Sequence, residues 1–519
     1  MRLQGVAVMG RKLIMGIDGG TRGIRVGVYD LRGNEIGFAT TEYRTSHRHP
    51  GWAEQDPRDW WRGLAESTRK VVADCEIDPR DIIALSLDTT SCSVVLCRED
   101  GTPIRESLIW MDVRASREAD IVTNSGDEAL KFNGYGNASA EWMPCKALWL
   151  KSNEPDNYAR AEVVCEYTDW LMHKLTGMWT GNDCNMSVRW YYNGPEGGFP
   201  RSLYERIGLG DVLARFPSVI RHIGERIATL TKEAAEFLGL HQGTIVGQGG
   251  IDAYIGNIGL GVVRPGRIAV ITGSSHLIMG FTDKPRHSKG IFGPFPNAVI
   301  TGLWVAEGGQ TSSGSILEWF RDCFCRDLGA DRSAGRAAFD QLRPEAELIP
   351  PGSEGLLVLD YWQGNRTPYT DPIVKGMIYG LSLNHTRAHV FRALMEGIAF
   401  GTENVICTFR DNGYPVDEVF MGGGTTNSDL FLQIHADVSN VIINVPENPQ
   451  VSCVGSAVLA AVAAGEYATI EEAAHNMVRY TKRILPNGQN HEKYAAVFQQ
   501  YRKAYPQLSA WMRETSTVT

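Results

Sequence analysis

Short apolar runs separated by turn-forming residues open the chain. Between Leu13 and Tyr43 the sequence reads LIMGIDGG, GIRVGVYD and EIGFATTEY, with a glycine-rich turn after the first run and Arg32-Gly33-Asn34 after the second. Apolar or alternating runs of this length, bounded by turn residues, are typical of β-strands. We therefore predict a three-stranded meander at the start of a domain.

A similar unit recurs near the middle of the chain. The run RIAVITGSSHLIMGF, from Arg267 to Phe281, predicts a strand, a Gly/Ser turn and a second strand. Between the two units, helical spacing at Trp60 to Asp74 and at Asp169 to Thr176 alternates with the strand-like runs IIALSLDTT and EVVCEY. The pattern predicts an α/β layer fold made of two related halves.

The second half continues this alternation. HVFRALMEGIAFGTENVICTFRDNGY predicts a long amphipathic helix, EVFMGGGTTNSDLFLQIHADV predicts a strand, a glycine-rich turn and a helix, and SCVGSAVLAAVAAG predicts a helix of small residues. A chain of 519 residues exceeds the size at which one hydrophobic core stops growing. We place the boundary in GLGVVRPGR and predict domains over residues 11–263 and 264–510.

Composition and charge exclude several classes of protein. Hydrophobic residues at 43% and charged residues at 21% are ordinary for a globular protein. Scattered Lys and Arg and a net charge of -9 argue against a nucleic-acid-binding face. The sequence has no apolar run of the roughly 20 residues that cross a bilayer and no secretory signal pattern, so we expect a cytoplasmic protein without a membrane partner. Ten scattered cysteines without a CxxC pair predict buried thiols.

The most informative segment is Ile17-Asp18-Gly19-Gly20-Thr21-Arg22-Gly23. An acidic residue at a strand end is followed by glycines, which let the backbone approach a phosphate closely. The carboxylate of Asp18 could hold a magnesium ion through water. Taken alone, an Asp-Gly-Gly turn is more simply a hairpin turn.

Two further loops strengthen the phosphate interpretation. Ile271-Thr272-Gly273-Ser274-Ser275 ends a strand at the corresponding point of the second half, and Met421-Gly422-Gly423-Gly424-Thr425-Thr426-Asn427 places three glycines between a strand and a helix. The loop after Asp18 and the loop at Thr272 to Ser275, facing each other, indicate a nucleotide clamp. In the glycine triplet, backbone without side chains can pack against a flat base or a phosphate. Alone, the glycine triplet would be only a tight strand-to-helix turn.

One carboxylate stands where it could reach a substrate hydroxyl. In Gly247-Gln248-Gly249-Gly250-Ile251-Asp252-Ala253, glycines present Asp252 between a strand and a helix, so it could act as a general base. The structural alternative is a helix N-cap, and both roles can coexist. The sequence has no Walker-type GxxxxGK[ST] motif. His385 and His389 have the spacing of a helical metal pair without a third ligand, which favours a helix start at the surface.

The ordered motifs IDGGTRGIR, GQGGIDA, ITGSS, GGGTTN and GMIYGLSLNHTRAHVFRALMEGIAFG extend over nearly the whole chain. In this order they resemble the FGGY carbohydrate kinase family. The resemblance implies two ribonuclease-H-like domains of the actin-like ATPase fold, with a sugar and ATP with Mg2+ in the central cleft between them. It also implies transfer of the γ-phosphoryl group to a terminal sugar hydroxyl, with Asp252 as the catalytic aspartate.

The same resemblance assigns residues to ATP and the metal. The N-terminal domain is expected to bind mainly the sugar and the C-terminal domain mainly ATP, and Asp18 and Asp252 are the expected metal ligands. Residues expected at the nucleotide and its phosphates are Asp18, Gly20, Thr21, Arg22, Thr272, Gly273, Ser274, Gly314, Glu318, Gly423, Gly424 and Asn427.

Within the family, LSLDTTSCSVV, IWMDVRA, WVAEGGQTSSG and DYWQGNRTPYTDP resemble pentulose kinases of the ribulokinase type. The resemblance therefore implies a ketopentose such as ribulose as the substrate. The expected sugar contacts are Ser91, Trp110, Asp112, Arg114, Arg189, Asp252 and Glu307.

Two departures from this pattern leave the sugar open. Thr89 stands where ribulokinases usually have an aromatic residue, and the loop IWMDVRA carries Asp112 and Arg114 as xylulose-type kinases do. Kinases for xylulose, ribitol, erythritol or glycerol are therefore alternatives, and Asp112 could instead form a salt bridge with Arg114. A sugar-responsive protein of this fold without turnover is an alternative from another class, and the oligomeric state stays open between monomer and homodimer.

Overall fold

The computed structural model describes residues 11–328 and 337–516. Its strands in the first half are β1 Leu13–Gly19, β2 Gly23–Asp30, β3 Glu35–Glu42, β4 Glu54–Gln55, β5 Ile82–Thr89, β6 Val94–Cys97, β7 Ser107–Leu108, β8 Val163–Glu166, β9 Thr180–Asn182, β10 Val219–Arg221, β11 Arg226–Thr229, β12 Ile245–Gly247 and β13 Gly250–Ile251. Its strands in the second half are β14 Gly266–Thr272, β15 His276–Thr282, β16 Phe292–Pro296, β17 Trp304–Gln310, β18 Leu357–Leu359, β19 Met377–Tyr379, β20 Val416–Gly423, β21 Ile442–Pro446 and β22 Tyr480–Ile484.

The helices alternate with these strands along the chain. In the first half they are α1 Pro57–Asp74, α2 Ser116–Thr123, α3 Met143–Asn153, α4 Pro155–Arg160, α5 Tyr167–Thr176, α6 Asp183–Arg189, α7 Arg201–Arg206, α8 Lys232–Leu238 and α9 Asp252–Gly259. In the second half they are α10 Gly314–Phe324, α11 Ala337–Leu348, α12 Arg387–Asp411, α13 Asp429–Ser439, α14 Val451–Ala463, α15 Ile470–Met477 and α16 Gly488–Ser516.

Two large mixed sheets organise the two halves. The first has the strand order β11-β12-β5-β1-β2-β3, and the second has the order β16-β17-β15-β14-β20-β21-β22. In each, the leading strand pairs antiparallel with the next strand in sequence and parallel with a later one: β1 with β2 and β5, and β14 with β15 and β20. This repeated topology confirms the predicted α/β fold of two related halves.

Most of the strongly patterned segments form the predicted elements. The meander is β1 to β3, the long helix is α12, and the small-residue helix is α14. The run EVVCEY is also a strand, β8, but it lies in a separate four-stranded sheet of order β4-β7-β6-β8. A short apolar run predicts a strand without indicating which sheet it will join.

Local chemistry fixes the ends of several helices. Asp56 caps α1 by accepting from Arg58 N, with Pro57 in the first turn. Thr386 and His389 cap each other at the start of α12, which confirms that this histidine belongs to a helix start. The cysteines are free thiols and most are buried, as predicted, and no described helix is both long and apolar enough to cross a membrane.

Helices α9 and α14 join the halves through contacts made at glycines. A Cβ at Gly259 of α9 would lie 1.8 Å from Val451 O, and a Cβ at Gly455 of α14 would lie 2.2 Å from Ile255 O. Helix α14 also packs on β1, where a Cβ at Gly16 would lie 1.9 Å from Cys453 O. A helix from the second half therefore covers the first sheet at backbone contact distance.

We predict that Gly16→Ala destabilises the protein, because the added methyl group must displace the backbone of α14. The free energy of unfolding should fall by about 1–3 kcal/mol, which is the usual cost of overpacking a core. Thermal denaturation followed by circular dichroism measures the change. The matched control is Gly488→Ala, since a Cβ at this exposed glycine meets nothing within 4 Å. Equal melting temperatures for the two variants would contradict the packing argument.

Candidate active site

Three aspartates meet at one edge of the first large sheet. Strands β1 and β5 run parallel and in register, which sets Asp18 opposite Asp88 at their carboxyl ends. Strand β13 pairs with the end of β5 and leads directly into α9, whose first residue is Asp252. Ligands of open α/β sheets bind outside the carboxyl ends of the strands, so this edge is where a site is expected.

Burial and mutual repulsion govern the charges of these carboxylates. Asp18 Oδ2 lies 2.5 Å from Arg25 Nη1, whereas the fully buried Asp88 accepts a hydrogen bond from Ser456 Oγ at 2.7 Å. Burial raises the pKa of Asp18 and of Asp88. Burial, together with the negative charge of Asp18, raises the pKa of Asp252 to about 7. A carboxyl group with a pKa near neutrality is suited to proton transfer.

The aspartate edge opens into a cavity of about 450 Å³, which we call the cleft cavity and whose wall is formed by the first half and by α14 of the second half. Trp110 forms part of its wall and donates from Nε1 to Thr21 Oγ1 at 2.8 Å. Six residues that the sequence predicts for a ligand line this cavity together: Asp18, Gly20, Thr21, Arg22, Trp110 and Asp252. Other residues of the wall are Arg25, Thr90, Met111 and, from α14, Ser452.

A second cavity, of about 480 Å³, lies beyond the ends of β14 and β20, and we call it the glycine-loop cavity. Six other predicted residues line it: Gly273, Ser274, Gly314, Glu318, Gly424 and Asn427. Apolar side chains on its wall are Leu317, Phe339, Phe391, Met395, Leu430 and Phe431. Glycine backbone facing apolar side chains suits a ligand that combines a flat base with phosphates.

Glycine permits close backbone approach around this cavity. Gly314 N donates to Gly273 O, and a Cβ at Gly314 would lie 2.3 Å from that oxygen. Gly423 has a φ of +116°, and a Cβ there would lie 1.9 Å from Thr272 O. Gly423 and Thr272 thus pack the two strand ends against each other behind the cavity wall, and their contact with the nucleotide stays a prediction. A Cβ at Gly424, by contrast, meets nothing within 4 Å.

Asp112 and Arg114 form a buried ion pair, with their side chains away from the cleft cavity. Both Asp112 oxygens accept from Arg114, and Oδ2 also accepts from Ala53 N at 2.6 Å. The Arg114 guanidinium lies 3.6 Å from the ring centre of Trp52 and pairs with Glu54. Asp112 has no exposed surface and no free oxygen, so this pair holds its own loop in place. Arg114 Nη1 is buried without a hydrogen-bond partner, and contact of this pair with the sugar stays a prediction.

The predicted sugar contacts Arg189 and Glu307 lie together in a second ionic cluster. Arg189 Nη2 is 3.0 Å from Glu307 Oε2, which also accepts from Tyr254 OH at 2.8 Å, and Arg366 pairs with Oε1. Burial alone would raise the pKa of Glu307, but the charges of Arg189 and Arg366 lower it to about 2. A carboxylate has about four lone-pair sites and three are used here, but Glu307 is fully buried, and neither it nor Arg189 lines the cleft cavity. Their contact with the sugar stays a prediction.

Some residues of these clusters were not predicted from the sequence. Asp88 lies near the end of the run IIALSLDTT, but only the parallel pairing of β1 and β5 reveals that it lies beside Asp18. Arg25 faces Asp18 across the antiparallel pair β1 and β2, a register that the predicted meander could have given. Ser91, which was predicted, lies in the turn between β5 and β6, next to the cavity-lining Thr90.

The aspartate edge fits a divalent cation that is shared with a phosphate. Asp88 Oδ1 is buried without a hydrogen-bond partner, and Arg25 pairs with Asp18, so a cation at this edge would lower the cost of burying these carboxyl groups in their charged form. Within residues 11–328 and 337–516, no three His, Cys, Asp or Glu side chains form a complete metal site. Mg2+ is usually held by one or two carboxylates together with substrate phosphates and water, so Asp18 and Asp252 would suffice.

Comparison with known proteins agrees with this geometry. The N-terminal domain model of the FGGY family of carbohydrate kinases matches residues 13–259, and the C-terminal domain model matches residues 268–464. A ribulokinase from Geobacillus thermodenitrificans is 32% identical, over 96% of this chain and 94% of its own length. A xylulose kinase from Bacillus subtilis is 28% identical, over 95% of this chain and 97% of its own length.

A solved structure of similar fold is that of a xylulose kinase from Rhodospirillum rubrum, with a TM-score of 0.84 and 24% identity over 96% of this chain and 100% of that chain. This likeness confirms the predicted pair of actin-like domains. The two family models together match most of the chain, in the order of the predicted motifs. The chain therefore belongs to the FGGY family of carbohydrate kinases and is an ATP-dependent sugar kinase.

Proposed function

We propose that the sugar is a ketopentose such as ribulose and that its terminal hydroxyl receives the γ-phosphoryl group of ATP. The observation that carries the proposal is the position of Asp252 on the wall of the cleft cavity, beside Asp18 and Trp110. A pKa of about 7 suits Asp252 to act as a general base at neutral pH. Ribulokinases at 32% and 31% identity over most of the chain support the choice of a ketopentose.

In this mechanism the chain orients the acceptor hydroxyl and removes its proton. The hydroxyl oxygen attacks the γ-phosphorus, Asp252 takes the proton as the new O–P bond forms, and ADP leaves with the electron pair of the broken bond. In the two phosphate loops, at Gly20 to Thr21 and at Thr272 to Ser274, the N–H groups of Gly20 and Gly273 already donate to Gly23 O and Ser275 O. The N–H groups of Thr21 and Ser274 are the proposed donors that stabilise the charge developing on the phosphate oxygens. Asp18 and Asp252 would hold Mg2+, which supplies positive charge beside those oxygens.

The two domains divide the ligands in this proposal. Residues 11–263 carry the first phosphate loop and Asp252 and bind mainly the sugar, and residues 264–510 bind mainly ATP, in the glycine-loop cavity. Closure of the cleft then brings the ligands together and excludes water, which suppresses hydrolysis of ATP.

A xylulose kinase is the second candidate. The Bacillus subtilis xylulose kinase, 28% identical over 95% of this chain, favours it. The loop IWMDVRA, which resembles that of xylulose-type kinases, also supports it, although its Asp112 and Arg114 form a buried ion pair with each other. Ribitol, erythritol and glycerol complete the set of acceptors to be compared.

A coupled ADP-release assay separates these candidates. The acceptors are both enantiomers of ribulose and of xylulose, together with ribitol, erythritol and glycerol. We expect the highest kcat/KM with a ketopentose. A higher kcat/KM with any of the three polyols would overturn the proposed substrate class.

We predict that Asp252→Asn lowers kcat by about a hundredfold or more, because the amide has the same shape but cannot accept the proton. The KM for the sugar should stay within about threefold of the parent value, since the shape of the cavity wall is kept. Steady-state kinetics with the best acceptor measures both quantities. The matched control is Asp156→Asn, at an exposed position on α4. Turnover within a few-fold of the parent would remove Asp252 as the base.

We predict that Gly424→Val raises the KM for ATP by about tenfold or more and leaves the KM for the sugar nearly unchanged. The reason is steric: Gly424 lies on the wall of the glycine-loop cavity and its Cβ direction is open, so a branched side chain would fill space that the nucleotide needs. Gly488→Val, at an exposed glycine, is the control. Equal weakening of both ligands in calorimetry would argue against a nucleotide in this cavity.

A further inference from the structure

Lys146 is a lysine that the structure buries completely. It lies in the first turn of α3, its exposed fraction is 0%, and its Nζ donates to two backbone carbonyls, Cys92 O at 2.7 Å and Ile109 O at 2.6 Å. Among the described residues, no carboxylate forms a salt bridge with it. Burial lowers the pKa of this ammonium group. Because a buried charge without an ionic partner is costly, its retention calls for a specific reason.

The two carbonyls belong to two different loops that reach the cleft cavity. Cys92 lies in the turn between β5 and β6, where Thr90 lines the cavity and Ser91 is a predicted sugar contact. Ile109 opens the loop after β7, and the next two residues, Trp110 and Met111, line the same cavity. One ammonium group therefore ties together two separate parts of the cavity wall.

The strands beside these loops are paired at one point, Val94 of β6 with Leu108 of β7, and Ser107 Oγ donates to Val94 O. Beyond that pairing, two carboxylates hold one loop each. Glu166 accepts a hydrogen bond from Cys92 N and so fixes the first loop, and Asp112 accepts from Ala53 N and so fixes the second. Each of these carboxylates acts on one loop, whereas Lys146 bonds to both. Cys92 also has a φ of +60°, which a non-glycine residue keeps only when its surroundings hold it there.

We propose that Lys146 is a positioning residue for the acceptor sugar, because its Nζ clamps the loop of Thr90 and Ser91 to the loop of Trp110. This inference rests on the proposed function in one respect, namely that the cleft cavity holds the sugar. Lys146 itself is not placed on the cavity wall, so it acts through the loops. Misplacing a substrate-positioning group by about 1 Å can cost up to a hundredfold in rate.

The test compares Lys146→Met with Lys146→Gln. Methionine keeps the length of the side chain but donates no hydrogen bond, so both carbonyls lose their donor. Glutamine is shorter, yet its amide NH2 has two donors and no charge, so it should restore part of the clamp. We expect the KM for the best sugar to rise by about tenfold or more in Lys146→Met and by less in Lys146→Gln, with the KM for ATP within about twofold of the parent in both.

A matched control lies on the same helix. Lys151 donates to Gly208 O and pairs with Asp211 at the surface, so Lys151→Met also removes a lysine anchor of α3, but one away from the cleft cavity. It should leave both KM values unchanged. Hydrogen exchange gives a second readout: peptides that span residues 89–93 and 107–112 should exchange faster in both Lys146 variants than in Lys151→Met.

A lower melting temperature with an unchanged sugar KM and unchanged loop exchange would overturn the proposal and make Lys146 purely structural. If Lys146→Met does not fold, Lys146→Gln carries the test by the same criteria. The KM values of each variant and of the parent are compared with the acceptor that gives the parent its highest kcat/KM, whichever sugar that is. A parent inactive on every acceptor would contradict the proposed function, whereas an active parent with an unaffected Lys146→Gln would contradict only the positioning role.

Discussion

The crowding of Asp18, Asp88 and Asp252 at one edge of a sheet is the constraint on which the rest of the structure depends. Burial disfavours the charged form and raises the pKa of all three carboxyl groups, and the negative charge of Asp18 adds to the rise for Asp88 and Asp252. Arg25 offsets part of the negative charge, and Ser456 donates a hydrogen bond to Asp88. A cation would be stabilised at this edge, and the pKa of the Asp252 carboxyl group lies at about 7.

The second half of the chain takes part in this edge through α14. Ser456 bonds to Asp88, and Ser452 donates to Asp252 O at 3.2 Å. The glycine contacts at Gly16 and Gly259 hold this helix at backbone distance from β1 and α9. Packed interfaces of this kind shift between discrete arrangements, so a movement of α14 would change the hydrogen bonds that Ser456 and Ser452 make to Asp88 and Asp252. The position of α14 therefore affects the surroundings of both carboxyl groups.

Local patterns predicted the elements, and the glycine-rich motifs predicted the loops around both cavities, because periodicity and turn chemistry depend on neighbouring residues. The residues that sequence patterns missed are brought to the site by pairing between distant segments. Asp88 becomes part of the site only through the register of β1 and β5, and Lys146 becomes a clamp only where two loops meet over α3. For Asp112 the sequence left open a sugar contact and a salt bridge with Arg114, and the structure shows the salt bridge.

The most direct measurement of the central claim is a crystal structure with a non-hydrolysable ATP analogue and the best acceptor bound together. We predict that the base of the analogue lies in the cavity lined by Gly424 and Asn427, and that the terminal hydroxyl of the acceptor lies within about 3 Å of the Asp252 carboxylate. An acceptor bound outside the cleft cavity, or one whose terminal hydroxyl is turned away from Asp252 in the closed complex, would contradict it.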